Sequence, residues 1–169
     1  MTTGETVQDL IYEWLFAHYP DGPRWIDPDF DAYRNVPIEI GMISAFDAIE
    51  SNMSNGGWAQ VLWNCYGCWR EMISIAKQGY ALIEATDQVL ALDELQRICE
   101  LNAGDCSAAM SVEDGTTRNF GEFTARSYGV TGLDWQARFY DQSGIYEKRL
   151  AWLANNEHAV RRAVGFKAS

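Results

Sequence analysis

The sequence predicts a mainly α, compact multi-helix domain of seven to ten helices with little or no sheet. Three observations lead there. Apolar residues recur at i, i+3 and i+4 along most of the chain, the period of an amphipathic helix rather than a strand. Of 169 residues, 47% are apolar, enough for one core in a single domain spanning residues 1–169. The strong breakers are localised: all four prolines fall within residues 20–37, and an Asn-Gly-Gly run stands at residues 55–57.

The first helix is expected over residues 6–17, with Thr6 as its cap and Val7, Leu10, Ile11, Trp14 and Leu15 on one face. His18 closes it, where a histidine beside the last carbonyls is ordinary. Residues 19–37 read as a proline-rich acidic loop, so residues 1–36 form an N-terminal appendage to a helical core at 37–164. Pro37 suits the first position of a second helix. That helix should run to about Met53, burying Met42, Ile43, Phe46, Ile49 and Met53 and turning Glu39, Asp47 and Glu50 to solvent. Ser54-Asn55-Gly56-Gly57 should stop it in a tight turn, with a new helix from Trp58. Further helices are expected at 68–77 and 80–92, the latter extending through 95–101. Five glycines make residues 102–132 irregular, with room for a short helix or a strand pair. Helices return at 133–140, 144–154 and 157–164.

The net charge of −11 is unevenly spread. Residues 1–69 hold ten carboxylates and two cations, a balance of −8, whereas residues 70–169 hold fourteen and eleven, a balance of −3. Such a surface repels free nucleic acid, whose binding depends on cations that displace counterions. It attracts and steers basic proteins. Acidity also serves solubility alone in many proteins. No apolar run approaches the ~18 residues that cross a bilayer. The N-terminus has no basic and apolar leader, so a cytoplasmic location without membrane contact is expected.

Cys65 and Cys68 form a C-x-x-C, and Cys99 and Cys106 could complete four thiolates. The second pair is poorly spaced and the first follows a tryptophan-rich helical stretch, so buried, reduced thiols without metal are expected. His18 and His158 lack a metal-ligand spacing, and no nucleophile elbow or phosphate-cradling glycine loop occurs. No catalytic residues, no cofactor and no enzymatic activity are expected.

Asn55-Gly56-Gly57-Trp58-Ala59-Gln60-Val61-Leu62-Trp63-Asn64-Cys65-Tyr66-Gly67 combines an Asn-Gly-Gly, an aromatic, a glutamine two residues on, and an Asn-x-x-Gly. Read from the residues, Gly56 and Gly57 permit a turn, and Asn55, Gln60 and Asn64 can bond backbone groups freed at helix ends. A small-molecule pocket lined by amides and tryptophan is the alternative. The stretch resembles the signature of a bacterial DNA-mimic protein family of small acidic helical proteins. Gly132-Leu133-Asp134-Trp135-Gln136-Ala137-Arg138-Phe139-Tyr140 is similar to the same family's Leu-Asp…Phe-Tyr segment. The family's central Ile-Gly-Ala turn is replaced here around Ala76-Lys77-Gln78-Gly79-Tyr80. The resemblance, over residues 37–164, implies a protein that occupies the DNA-binding surface of a transcription factor, and it allows a homodimer.

The expected partner is thus a basic DNA-binding protein or a nuclease, met through an acidic face made of Asp27, Asp29, Asp31, Glu39, Asp47 and Glu50. Asn55, Gly56, Gly57, Gln60, Asn64 and Gly67 are expected to be structural. An immunity-type inhibitor of a nuclease toxin, or a helical adaptor without mimicry, are the competing readings.

Overall fold

The computed structural model describes residues 2–19, 35–111, 119–127 and 144–165. Among these residues the fold is all-α, with seven helices and no strand: α1 (Thr3–His18), α2 (Ile38–Asn64), α3 (Trp69–Leu82), α4 (Thr86–Met110), α5 (Phe120–Ser127), α6 (Ile145–Asn155) and α7 (Glu157–Val164). The helix expected at 133–140 and most of the proline-rich loop lie outside the described residues.

Helix α1 starts three residues before the expected position. Thr2 caps it in a capping box: its hydroxyl accepts from the Glu5 amide at 3.3 Å, and Glu5 accepts from the Thr2 amide at 2.6 Å. Two otherwise orphaned donors are satisfied together, which is why Thr2 outcompetes Thr6. At the other end His18 stacks on Trp14 at 4.0 Å and its Nδ1 donates to the Trp14 carbonyl. The apolar stripe of α1 lies against α6 and α7, and Gly4 lets the two backbones meet: a Cβ there would stand 2.3 Å from the Leu150 carbonyl oxygen.

Helix α2 runs through the middle of the fold and touches α1, α3, α4, α5 and α7. Pro37 occupies its cap position, one residue outside the expected place. Its apolar residues are not confined to one stripe; Ile40, Met42, Ile43, Phe46 and Ile49 are all fully buried, so the helix is surrounded. The Asn-Gly-Gly break does not separate two helices by a loop. It kinks one helix, with Gly57 at φ +66° and ψ −158°. A side chain is strongly disfavoured in that conformation, so glycine is the residue that permits the bend.

The break between α3 and α4 also differs from expectation. Gly79 lies inside α3 rather than in a turn, because it packs against α2: a Cβ there would stand 2.5 Å from Met42 Cβ and 2.8 Å from Phe46 Cζ. The chain turns instead at residues 83–85, where Glu84 takes φ +57°. Lys148 of α6 donates to the Glu84 carbonyl at 2.7 Å and pins that link. Beyond it, residues 102–110 continue α4 and 120–127 form α5, so the described part of the expected irregular region is helical. Gly104 costs α4 about 1 kcal/mol of propensity relative to Ala. The burial of Asn102, Cys106 and Ala109 on the same helix outweighs that. Buried apolar side chains from all seven helices form one cluster.

Candidate functional site

The signature stretch is built around the kink in α2. Past the bend the chain directs Trp58 and Trp63 toward α5, where Trp58 meets Phe123 edge-on at 6.0 Å, and Trp63 meets Phe120 at 5.3 Å and Phe123 at 5.7 Å. The bend is fastened from inside by two asparagines, twelve residues apart. Asn64 Nδ2 donates to Asn52 Oδ1 at 2.7 Å, and Asn52 Nδ2 donates to the Ala48 carbonyl at 2.8 Å. Asn64 therefore bonds a side chain, not the freed backbone group expected of it. Gln60 lies over Gly56, where a Cβ would come within 2.6 Å of Gln60 Oε1. Asn55 and Gly67 are exposed. None of these motif residues lines the groove of about 240 Å³ beside the α3–α4 link, which Leu82, Glu84, Lys148, Trp152 and Asn155 line.

Of the six carboxylates expected on one acidic face, Asp27, Asp29 and Asp31 lie outside the described residues. Glu39 is half-buried in the first turn of α2. Asp47 and Glu50, expected on the solvent side of α2, are only partly exposed, because both face Arg149. Arg149 of α6 is 4% exposed and its guanidinium donates from Nη2 to Glu50, with Nη1 3.8 Å from Asp47 Oδ1. The reason is that Arg149 of α6 and Tyr12 of α1 reach onto the side that periodicity assigns to water.

A cluster results that joins five side chains from four helices, with Arg149 Nε buried and left without a hydrogen-bond partner. Tyr80 of α3 donates to Glu50 Oε1 at 2.8 Å, and its ring stacks on Phe46 at 4.1 Å. Arg149 lies over the same Phe46 ring at 4.9 Å. Tyr12 of α1 hydrogen-bonds Asp47, and Gln8 Nε2 reaches the Tyr12 hydroxyl at 3.4 Å. Burial pushes the Asp47 carboxyl up to about 6, against the opposing pull of its bond to Tyr12 and the charge of Arg149. Burial also raises Tyr12 and Tyr80, with Asp47 and Glu50 adding to the effect. Burial by itself would lower Arg149, but Glu50, Tyr80 and Asp47 more than offset it, so it stays charged. Sequence reasoning missed Arg149, Tyr12, Tyr80 and Asn52. The one signal available was the Glu50 spacing from Phe46 and Asp47 on a helix with no cation of its own.

All four cysteines are buried free thiols, with no disulfide among them. Cys65 and Cys68 share a hydrogen bond that, with burial, raises the Cys65 thiol, and burial pushes Cys106 up to about 11. Thiols held so far from the thiolate form are poor nucleophiles. Among the described residues no group of three or more His, Cys, Asp or Glu side chains is arranged to hold a metal ion. No helix among them is long and apolar enough to cross a membrane.

The described molecule is thus an all-α protein wrapped about one kinked central helix, whose Asn-Gly-Gly run shapes the kink and whose Arg149 cluster ties the flanking helices to it. The chain belongs to the DMP19-like protein family, whose model matches residues 34–156. That span covers α2 to α6 and leaves α1 and α7, which pack on each other, outside it. No curated protein and no solved structure matches the chain.

Proposed function

We propose that this chain acts by binding a basic protein, and that it does so as a DNA mimic covering that partner's DNA-binding surface. Family membership carries the reading, because it is compatible with mimicry and accounts for most of the chain. The charge distribution supports it: −8 over residues 1–69 against −3 over the remainder. With Asp47 and Glu50 beside Arg149, the described carboxylates of the N-terminal part left to a partner are Asp9 and Glu13, exposed on the outer side of α1, and the half-buried Glu39, while Asp27, Asp29 and Asp31 lie outside the described residues and enter the reading through their sequence alone. Duplex DNA presents one phosphate charge per ~1.7 Å of axis, so a mimic needs such a run of carboxylates and few cations among them.

The test is capture of the partner from native lysate by the immobilised full chain at low and high salt, followed by competition with duplex DNA. Mimicry requires that capture weaken with salt and that the duplex displace the chain. Replacing Asp27, Asp29 and Asp31 by Asn should slow association and flatten its salt dependence while leaving thermal stability unchanged. A partner held equally well in high salt, or indifferent to DNA, would sink the proposal. Capture of a nuclease in place of a DNA-binding regulator would move the reading to an immunity-type inhibitor.

A further inference from the structure

Most cations of the described residues are neutralised. Arg70, Lys77, Arg97, Arg149 and Arg161 each pair with a carboxylate. Lys148 of α6 does not, in a chain whose acidic residues outnumber its basic ones by 24 to 13. Among the described residues its ammonium meets the backbone carbonyl of Glu84, at 2.7 Å, and no carboxylate. A carbonyl takes one of the three ammonium protons and cancels no charge, so two charged donors stay open.

Lys148 lines the groove of about 240 Å³ beside the α3–α4 link. One wall of that groove is a stripe of α6 formed by Lys148, Ala151, Trp152 and Asn155, and the other is the link, with Leu82 at its start. Lys148 and Asn155 are about 10.5 Å apart along the helix axis, and Trp152 lies between them on the same side. Leu82 is 42% exposed and Trp152 half-buried, so the middle of the groove is apolar surface left uncovered. Ala151 is exposed, and its small side chain keeps the space beside Trp152 open. The Asn155 amide has no hydrogen-bond partner among the described residues. The groove therefore has an apolar middle with a charged donor at one end and a neutral one at the other.

We propose that this groove binds a small aromatic carboxylate, with the carboxylate on Lys148, the ring between Trp152 and Leu82, and an oxygen at the far end of the ring on the Asn155 amide. A carboxylate is the group that uses charged donors best, because hydrogen bonds to an ionised partner are about twice as strong as neutral ones. An aromatic ring matches the indole in shape and in its preference for offset stacking. The space holds one ring system and falls below the ~300 Å³ at which sites for larger ligands begin. This inference stands apart from the mimicry reading and survives its failure. The net charge of −11 opposes every anion, so binding of an acid has to come from Lys148. The same chemistry occurs at the end of a polypeptide whose last residue is aromatic.

Titration calorimetry on the full chain tests this, with 4-hydroxyphenylacetate and the peptide Ala-Ala-Ala-Tyr, its C-terminal carboxylate free, as probes. One of the two should bind saturably with a Kd of about 0.1–1 mM, the range for a ligand of this size in an open groove. The tighter probe identifies the source, a free acid or a polypeptide end. Tyramine carries the same ring with an ammonium in place of the carboxylate; the net charge favours it and Lys148 opposes it. It should bind at least about tenfold more weakly than the acid. Lys148→Met should weaken the tighter probe by about tenfold or more, and Lys148→Arg should restore it. Ala151→Phe, at an exposed position, fills the groove and should abolish binding while thermal stability stays at the wild-type value. The absence of saturable binding by both carboxylates overturns the inference. So does tyramine binding as tightly as the acid, or an Ala151→Phe variant that binds like wild type, whatever Lys148→Met does to the fold.

Discussion

Arginine–carboxylate pairs occur in this molecule in two settings, and they do different things in each. On the surface, Arg70 bonds Glu100 in bidentate fashion at 2.7 and 2.9 Å, and Arg161 bonds Glu157 one turn away on the same helix. All four side chains are at least a third exposed, so water and salt screen the attraction and ordering the side chains costs much of what is gained. In the interior, Arg149 faces Glu50 and Asp47 with only 5% of its side chain exposed. There the Arg149 guanidinium has lost its hydration and Glu50 keeps only 23% of its side chain exposed, so each is tolerable because the other is present, while Asp47 stands at the rim with 36% exposed. The surface pairs decorate helices that would form without them; the interior cluster decides how α1, α2, α3 and α6 meet.

Removing the cation should separate the two settings most sharply. Arg149→Met leaves Glu50 and Asp47 without their partner, and chemical denaturation should show a loss of about 3–5 kcal/mol. A loss under 1 kcal/mol would show that the cluster behaves like a surface pair. The uncharged interior bond comes next. Asn52→Ala strips the acceptor from Asn64 and should cost about 1–3 kcal/mol in the same measurement, with the kink loosened.

Protonation offers a gentler perturbation. The Asp47 carboxyl titrates near 6 in the folded protein, above its ordinary 3.8, so the native state holds the proton more firmly than the unfolded chain does. Its contribution to stability is then fully present below about 4 and is lost as pH rises through about 6. Because 36% of the side chain is exposed, the effect is reduced by solvent screening. Thermal melts of Asp47→Asn and wild type should diverge as pH rises from 5 to 7, with the variant losing less stability over that interval. Parallel curves would place Asp47 in the screened class. The smallest effect belongs to the surface: Arg70→Gln should shift stability by about 0.2–1 kcal/mol, and the shift should vanish in high salt.

The contrast also explains which parts of the fold could be read from sequence. Helix α7 and the bounds of α6 were legible because their apolar residues lie on one stripe and a glycine or asparagine marks the ends. The kink at Gly57 was legible as a break, since Asn-Gly-Gly tolerates conformations other residues resist. That it bends one helix instead of ending it depends on Asn52 and Asn64 bonding across twelve residues, which no local pattern announces. The position of Asp47 and Glu50 was misread for a related reason. Periodicity separates two sides of a helix, but Arg149 and Tyr12 reach onto the outer side of α2. The arginine that makes carboxylates tolerable there comes from ninety-nine residues downstream. Gly79 was misread as a turn because a glycine needed for close packing looks, in sequence, like one needed for a bend.

That glycine has a consequence for how the protein can change over generations. Alanine is ordinarily the safest exchange for a glycine within a helix, and propensity alone favours it by about 1 kcal/mol. At Gly79 the added methyl would stand 2.5 Å from Met42 Cβ and 2.8 Å from the Phe46 ring, and that ring carries both Tyr80 and Arg149. The mildest substitution available to α3 is therefore one the molecule can accept only if the neighbouring helix changes with it. Positions 79, 42 and 46 are bound to drift together or not at all.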